Sequence, residues 1–483
     1  MSLLLIQNPG VSPVEGFTLL GVSTTRGCGV EGVIGQFGSG TKHAINVLLR
    51  AGLPVTVYCG KTKLDFLTRE AQVNDGLTTK TVKQVYVQFG GTSTKKVDLG
   101  WVLDFGAIDW TRLGMALREF VSNAIDRTLR EECGQFEAAI REGRLAVRKV
   151  PDAEVRAKDG YTRVYVGIND EVEKYLAELS KRFLHFSDTP GDVKRRFLPK
   201  ANRSANGSAM IYRAGVFVRE LQEYPTPSVY DYNFQTDELQ IDECRNSSEY
   251  AIRAGCAQLL RKATTDELVP ILRSLTEMEK TFEAGLDDHY LCPSWETPKQ
   301  EQKDAFKRAW EAVAGTSVMC ESTAHQVELV QRKGYMPKTI QSSTWVRAAE
   351  RFGIPTATTV LSAAESKGRE PCSASLCAEQ SVVMVWEWIA SLGMTQGKSK
   401  PKVACYRDIT NGETDCMGYY EDGTVYLRED IASGNNKYLL KTALEECVHH
   451  VTGAGDNTRD IQNYLVDMVV NMKTRDLETV DGR

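Results

Sequence analysis

IGQFGSGTKHAINVLL, residues 34–49, decides how the N-terminal part of the chain folds. Three glycines, Gly35, Gly38 and Gly40, free the backbone to curl so that its N–H groups can face an anion. The apolar spacing that follows predicts a helix beginning near Lys42, whose positive end points to the same place. Lysine follows threonine here, and this order excludes a Walker A loop. The stretch predicts a phosphate-binding turn; the alternative is a tight strand–helix turn that binds nothing.

A second polar signal lies in ALREFVSNAIDR, residues 116–127. The surrounding sequence predicts a long helix over about residues 110–132, with Asp109 as its N-cap. Glu119 and Asn123 are four residues apart, so they project from one face of that helix. A carboxylate that activates water, one turn from an amide oxygen that can bind magnesium, suits hydrolysis. Taken alone, the pattern equally fits an amphipathic helix with a polar edge.

The glycine-rich stretch resembles a motif of the GHKL superfamily of ATPases, whose nucleotide domain has the Bergerat fold. IGQFGSG, residues 34–40 and here called the glycine box, is similar to the second glycine box of the ninety-kilodalton heat-shock chaperone. In that superfamily the box forms the lid over the ATP phosphates. LGVSTTR (20–26) resembles the segment that precedes the box in MORC-like members. The resemblance implies that the chain binds ATP.

The helix resembles the N-box of the same superfamily, which reads E-x-x-x-N-A-x-D. Glu119, Asn123, Ala124 and Asp126 match its four fixed positions. The resemblance implies that Glu119 is the general base and that Asn123 is a magnesium ligand.

The order of the motifs differs from that of ordinary GHKL proteins, in which the N-box comes first. We infer a circular permutation, which is physically cheap where the ends of a domain lie close together. LLLIQNPGV (3–11) is then the remnant of the first glycine box, but it lacks the aspartate that accepts the adenine amino group. Asn8 or Gln7 could replace that aspartate, since an amide oxygen is also an acceptor. ATP and GTP both remain open.

The resemblance therefore implies one nucleotide site, with Glu119 as its catalytic residue and magnesium as its cofactor. Its nucleotide-binding residues are expected to be Asn8, Gly10, Thr25, Arg26, Gly35, Gln36, Phe37, Gly38, Ser39, Gly40, Thr41, Lys42, Asn123 and Asp126.

Residues 211–247 resemble the transducer domain that follows the nucleotide domain in MORC-like ATPases. Such domains commonly send a basic residue into the ATP site. Lys200, Arg203 and Arg245 are the candidates, and the sequence does not choose among them.

The last 80 residues or so show a strand, a helix with an E-x-x-H pattern, a turn and a second helix, as in a zincin metallopeptidase core. Glu445, His449 and His450 are candidate metal ligands, since a carboxylate and an imidazole four residues apart can hold one ion. A zincin helix has histidine where Glu445 stands. We therefore expect a degenerate zincin that is not a competent peptidase; the plainer alternative is an ordinary helix with a polar edge.

Composition sets the broad class. The chain has 483 residues, 42% of them apolar, and a net charge of −5, which gives no general reason to expect nucleic-acid binding. The start of the chain lacks the pattern of a signal peptide, and the apolar run at 381–394 is too short to span a membrane. Twelve cysteines without a CxxC pair indicate reduced thiols. We expect a cytoplasmic protein.

These observations predict an α+β multidomain protein. We expect a permuted Bergerat α/β sandwich at 1–190, a transducer-like domain at 205–290, a mostly helical region at 300–395 and a zincin-like domain at 402–483. The expected function is magnesium-dependent ATP binding with slow hydrolysis that drives conformational change or homodimerisation. The alternatives are a nucleotide sensor or scaffold that recruits a partner without hydrolysis, and a metallopeptidase with a regulatory N-terminal domain.

Overall fold

Seven strands near the start of the chain form one antiparallel sheet. The computed structural model describes residues 2–20, 33–35, 38–74, 76–90, 95–189, 191–200, 207–221, 226–293, 295–321, 323–361, 369–408, 416–433, 437–454 and 459–481. The strands are β1 (Ser2–Pro9), β2 (Val55–Cys59), β3 (Thr62–Asn74), β4 (Thr79–Gly90), β5 (Lys96–Val102), β6 (Ala146–Pro151) and β7 (Tyr161–Gly167). Their order across the sheet is β5-β4-β3-β2-β7-β1-β6.

Two long helices pack on one face of this sheet. The helices of the region are α1 (Glu15–Thr18), α2 (Gly40–Arg50), α3 (Leu113–Glu131), α4 (Phe136–Arg141), α5 (Asp170–Ala177) and α6 (Leu179–Arg182). Alternate strand residues such as Val57 and Phe66 bury against Leu48 of α2 and Phe120 of α3 in one core. Burial of these side chains, at about 1.5–3 kcal/mol each, holds the two helices side by side.

The start of α3 differs from the sequence-based expectation. Asp109 was expected to cap a helix from residue 110, but α3 begins at Leu113 after Arg112, with no side-chain cap. The Trp110 carbonyl instead accepts a hydrogen bond from Arg50 Nη2 at 2.7 Å. Trp110 is also buried in a ring stack with His43. These tertiary contacts hold residue 110 outside the helix.

The N-terminal sheet and the segments that follow it belong to one compact unit, Met1–Thr323 with Lys338–Ile354. A second sheet has the order β10-β9-β11-β8 and carries helices on it. The strands of this sheet are β8 (Phe197–Pro199), β9 (Met210–Arg213), β10 (Val216–Glu220) and β11 (Tyr230–Phe234). The helices are α7 (Glu249–Arg261), α8 (Thr265–Thr276), α9 (Asp288–Leu291), α10 (Gln300–Ala314) and α12 (Ser343–Phe352). The strands β12 (Val318–Glu321) and β13 (Pro337–Ile340) form a separate pair, and α11 (Ala324–Arg332), which comes between them in sequence, belongs to the other unit.

Two sequence-based predictions for this region differ from the structure. The segment CPSWETPKQEQKDA (292–305) predicts a linker, but α10 begins within it at Gln300 and continues into the core with Phe306 and Trp310. The sequence also predicts a helix over 265–284, but α8 ends at Thr276, and Met278 adopts a positive φ of 60° that helical backbone excludes.

The other unit, Ala324–Pro337 with Pro355–Arg483, has a four-stranded sheet of order β14-β15-β17-β16. Its elements are β14 (Arg369–Cys372), α13 (Leu376–Ser391), β15 (Lys402–Asp408), β16 (Gly418–Glu421), β17 (Thr424–Arg428), α14 (Glu429–Ala432), α15 (Lys437–Thr452) and α16 (Arg459–Asp481), together with α11. Apolar residues of α13, α15 and α16 bury against β15 and β17.

The predicted α+β class with several sheets is confirmed at this level. Within the described ranges, no helix is both long and apolar enough to cross a lipid bilayer.

Candidate functional site

The polar edge of α3 faces the first turn of α2. Asn123 Nδ2 donates a hydrogen bond to Thr41 Oγ1 at 2.9 Å. Gly40, the first residue of α2, lies so close to Glu119 that an added Cβ would come within 2.4 Å of Glu119 Oε2. Only glycine fits there without displacing the carboxylate. The two motifs that are about 80 residues apart in sequence therefore meet in one place.

Asp126, one turn further along α3, binds the backbone that leads into the glycine box. Its Oδ1 and Oδ2 accept hydrogen bonds from the N–H groups of Ile34 and Gly35 at 2.6 and 2.8 Å. The side chain is fully buried, and burial raises the pKa of its carboxyl to about 6 although the two N–H groups oppose this shift. Asp126 and Gly35 thus bind each other, so Asp126 positions the glycine box.

Lys42 brings a positive charge beneath the box. Its Nζ donates a hydrogen bond to the Gly38 carbonyl oxygen at 3.0 Å, and the side chain is buried. Burial lowers the pKa of Lys42 to about 8, because the ammonium loses its hydration. An anion bound near this group would reverse that shift.

Arg245 comes to the same site from a turn between β11 and α7. Its Nε lies 2.9 Å from Glu119 Oε1, and both side chains are less than 10% exposed. Arg245 has a positive φ of 61°, unusual for a residue with a side chain, and the turn is held by Asp242, whose carbonyl accepts the Arg245 N–H. Of the two candidate basic residues that the structure describes, Arg245 is the one that contacts Glu119.

The other two basic candidates lie elsewhere. Lys200 Nζ is 2.7 Å from Asp231 Oδ1, in the second sheet. Arg203 lies outside the described residues.

Sequence reasoning missed Arg118 and Asp242. Arg118, on α3 beside Glu119, donates from Nη2 to the Cys244 carbonyl at 2.7 Å and so fixes the turn that carries Arg245. Asp242 also accepts the Asn246 N–H through Oδ1 at 2.7 Å. The position of Arg118 in a largely apolar helix could have identified it, because a buried arginine needs hydrogen-bond partners. Nothing in the sequence marks Asp242 or the turn that it holds.

Residues 3–11, which the sequence predicts to be the remnant of a first glycine box, reach the far end of α3 at Gly10. An added Cβ at Gly10 would meet Glu131 and Arg127, which lie two to three turns beyond Glu119. Gln7 Oε1 already accepts from Arg163 Nε at 2.7 Å. Asn8 is buried, and its side-chain hydrogen bonds within the described part of the chain use only the amide nitrogen, which donates to the Pro9 carbonyl at 2.8 Å. Asn8, not Gln7, keeps an amide oxygen for a ligand.

Several predicted site residues cannot be placed. Thr25, Arg26, Gln36 and Phe37 lie outside the described residues. Ser39 precedes α2 as its N-cap residue without a side-chain cap bond.

The candidate metal ligands of the C-terminal unit have other neighbours. His449 Nδ1 is 2.7 Å from the Ala454 carbonyl oxygen, and His450 Nε2 is 2.8 Å from the Ser399 carbonyl oxygen. Glu445 is half exposed, 3.7 Å from Lys441 Nζ. Among the described residues, no group of three or more His, Cys, Asp or Glu side chains is placed to hold a metal ion. The absence of peptidase activity stays a prediction.

Comparisons with known proteins add no relative. Neither the family models nor the curated proteins include a match to this sequence. The likeness to GHKL ATPases therefore rests on the motif residues and on how the structure groups them.

Proposed function

We propose that the N-terminal sheet, α2, α3 and the Arg245 turn bind ATP with magnesium and hydrolyse it slowly. The observation that carries this proposal is the convergence of Glu119, Asn123 and Asp126 on the glycine box and the first turn of α2. A packing helix would not need three polar side chains on its buried edge, since burying them costs free energy unless they serve a purpose. The proposal places the site inside the cell, where ATP is found.

The phosphates would bind at the start of α2. The N-terminus of a helix has unsatisfied N–H groups and the positive end of its dipole, both of which attract phosphate. Lys42 adds a full positive charge close to Gly38. Gly40 keeps the approach to Glu119 free of side-chain atoms.

The chemistry of the side chains on α3 fits magnesium. Asn123 uses its amide nitrogen for Thr41, and in the described part of the chain its amide oxygen has no hydrogen-bond partner. An amide oxygen is a ligand that magnesium accepts, usually beside phosphate oxygens and water. When bound, the ion would neutralise charge on the phosphates and orient them.

Glu119 is in position to act as the general base. Arg245 holds Oε1, so the carboxylate has one fixed orientation, and Oε2 lies over Gly40 at the phosphate end of α2. A water between Oε2 and the terminal phosphate would lose its proton to Oε2 while its oxygen forms the new bond to phosphorus. The bond from phosphorus to the bridging oxygen breaks, and ADP and inorganic phosphate result.

At the other end of the site, Asn8 would accept the purine amino group in place of the aspartate of the GHKL pattern. Its buried amide oxygen is an acceptor, as adenine requires. ATP is therefore the proposed nucleotide.

One observation favours a second candidate, a nucleotide sensor without turnover. Glu119 is buried and forms an ion pair with Arg245, so bulk water does not surround its carboxylate. A carboxylate used solely for this ion pair would hold the second sheet to α3 and would do no chemistry.

Phosphate release from ATP separates the two candidates. We expect Glu119→Gln to bind magnesium ATP as the wild type does but to lose at least 100-fold in hydrolysis rate, within the range that general bases contribute. Glu137→Gln, an exposed carboxylate on α4, is the matched control and should hydrolyse normally. Equal hydrolysis by wild type and Glu119→Gln would reject the catalytic assignment; no hydrolysis by either, with binding intact, would establish the sensor.

A further inference from the structure

Two cysteines lie opposite each other where β14 pairs with β15 in the C-terminal unit. The two strands run antiparallel, and Cys372 and Cys405 are direct partners in their register. Direct partners share one face of a sheet, with their Cα atoms about 4.5–5.5 Å apart. A disulfide joins residues whose Cα atoms are about 4.4–6.8 Å apart. The backbone therefore already holds the two thiols at a separation that a disulfide bridges.

Both thiols lie on the side of the sheet that the helices cover. Cys405 belongs to the apolar core that α13, α15 and α16 form with β15 and β17, and Cys372 packs against that core. Burial, Glu429 and Cys405, in that order of size, raise the pKa of the Cys372 thiol. The two sulfur atoms are thus close enough to influence each other.

The two thiols differ in their access to solvent. Cys372 is half-buried, whereas Cys405 is 1% exposed. Arg407 lowers the pKa of Cys372 and partly opposes the effect of burial, which favours the reactive thiolate. Burial also raises the pKa of Cys405, while hydrogen bonds to the Ser375 backbone and hydroxyl lower it. A reagent from solution therefore meets Cys372 first.

We propose that Cys372 and Cys405 form a reversible disulfide by exchange with a low-molecular-weight disulfide such as oxidised glutathione. The Cys372 thiolate attacks one glutathione sulfur, the glutathione S–S bond breaks, and the other half leaves as a thiolate that takes up a proton. The Cys405 thiolate then attacks Cys372 Sγ, and the second glutathione thiolate leaves. Two protein thiols are oxidised, and one glutathione disulfide is reduced to two thiols.

The bond fastens an edge strand to its sheet. β14 is the outermost strand, and one of its four register pairs with β15 involves Pro371, which has no N–H to donate. The disulfide also closes the segment from 372 to 405, which contains all of α13. Closing such a segment restricts the unfolded chain and so favours the folded state. The attachment of β14 thereby depends on the thiol–disulfide balance of the surroundings.

Peptide mapping of the oxidised full chain tests the pairing. The reduced protein is incubated with oxidised glutathione at about pH 8.5, near the ordinary pKa of a thiol. Free thiols are then alkylated and the chain is digested with trypsin. We expect the peptide 403–407, which carries Cys405, to be joined to 370–398 and to be released by dithiothreitol. Absence of this link in the wild type overturns the proposal.

A matched pair of variants identifies the partner of Cys405, because the peptide 370–398 also contains Cys377. Cys377 lies in the first turn of α13 and, like Cys372, is half-buried. We expect Cys377→Ser to keep the link and Cys372→Ser to lose it. The reverse result, or a link that persists in Cys372→Ser, contradicts the assignment.

The order of attack gives a second readout by mass spectrometry. Cys405→Ala removes the resolving thiol, so the mixed disulfide with glutathione should accumulate at Cys372. In Cys372→Ser we expect Cys405 to stay unmodified, because solvent does not reach it. Glutathione on Cys405 in that variant, or an unmodified Cys372 in Cys405→Ala, contradicts the proposed roles. Neither experiment uses ATP, so the outcome is independent of the proposed nucleotide site.

Discussion

At the scale of single residues, the site groups several buried charges. Arg245 pairs with Glu119, and Arg118 lies near both groups. The pKa of Arg118 falls to about 10, mainly because the side chain is buried and further because Arg245 is near. Asp126 also lies near Arg245, so these two arginines accompany two carboxyl groups. The buried Lys42 adds a further positive charge, which an anion such as a terminal phosphate would neutralise.

The ion pair between Glu119 and Arg245 predicts a large cost when one partner is removed. Arg245→Ala removes the hydrogen-bonded partner of a buried carboxylate and should lower the free energy of unfolding by about 3–5 kcal/mol. Adding Glu119→Gln should restore part of that loss, because the unpaired charge is gone. Urea denaturation of the single and double variants measures both effects.

Arg148→Ala is the matched control for this experiment. Arg148 pairs with Glu154 at 3.1 Å, and both side chains are about half exposed, so the pair contributes about 1 kcal/mol or less. If Arg245→Ala costs no more than Arg148→Ala, the buried pair has no special role.

At the scale of elements, Asp126 ties α3 to the segment that enters the glycine box. Both of its oxygens are occupied by N–H groups of that segment. The pairing fixes where the box begins and therefore how it meets α2. The tie also makes stability depend on pH, since the pKa of this carboxyl is raised to about 6.

Asp126 predicts stability that falls as the pH rises from about 4 to 6. The folded protein keeps the proton up to about pH 6, whereas the unfolded chain releases it near 3.8, so the folded state binds more protons in this window. The free energy of unfolding of the wild type minus that of Asp126→Asn should fall by up to about 3 kcal/mol across it. Asp170→Asn, which changes an exposed aspartate of α5, is the matched surface control. A difference that does not change with pH contradicts this prediction.

Strand-like runs of apolar residues at PVTVYCG (54–60), KLDFLT (63–68), KQVYVQF (83–89) and TRVYVGI (162–168) predict strands near the N-terminus. The structure has β2, β3, β4 and β7 over these runs, because a strand with one covered face alternates apolar and polar residues. Such local patterns fail where distant contacts intervene. The start of α3 was wrong because Arg50, 60 residues earlier, takes the Trp110 carbonyl. No local rule reports such a contact.

At the scale of the whole molecule, local sequence patterns identify the candidate site only in part, because they do not report contacts between distant residues. The sequence singled out Glu119, Asn123 and Gly40 by motif, and the structure groups them. Arg245 was one of three candidates, since a pair that is 126 residues apart has no sequence signature. The expected boundaries at 190 and 205 fall within a single compact unit, because strands of the second sheet, such as β10 with Val216, contribute to the core of the first.

Calorimetry with ATP tests the central claim most directly. Titration of ATP into the full chain should show saturable binding of one nucleotide per chain with magnesium and much weaker binding without it. Asn123→Ala should reduce the affinity gained from magnesium, while Asn74→Ala, at the exposed end of β3, should bind as the wild type does. No binding of ATP at millimolar concentration with magnesium, or binding that Asn123→Ala leaves unchanged and that is indifferent to magnesium, would contradict the account.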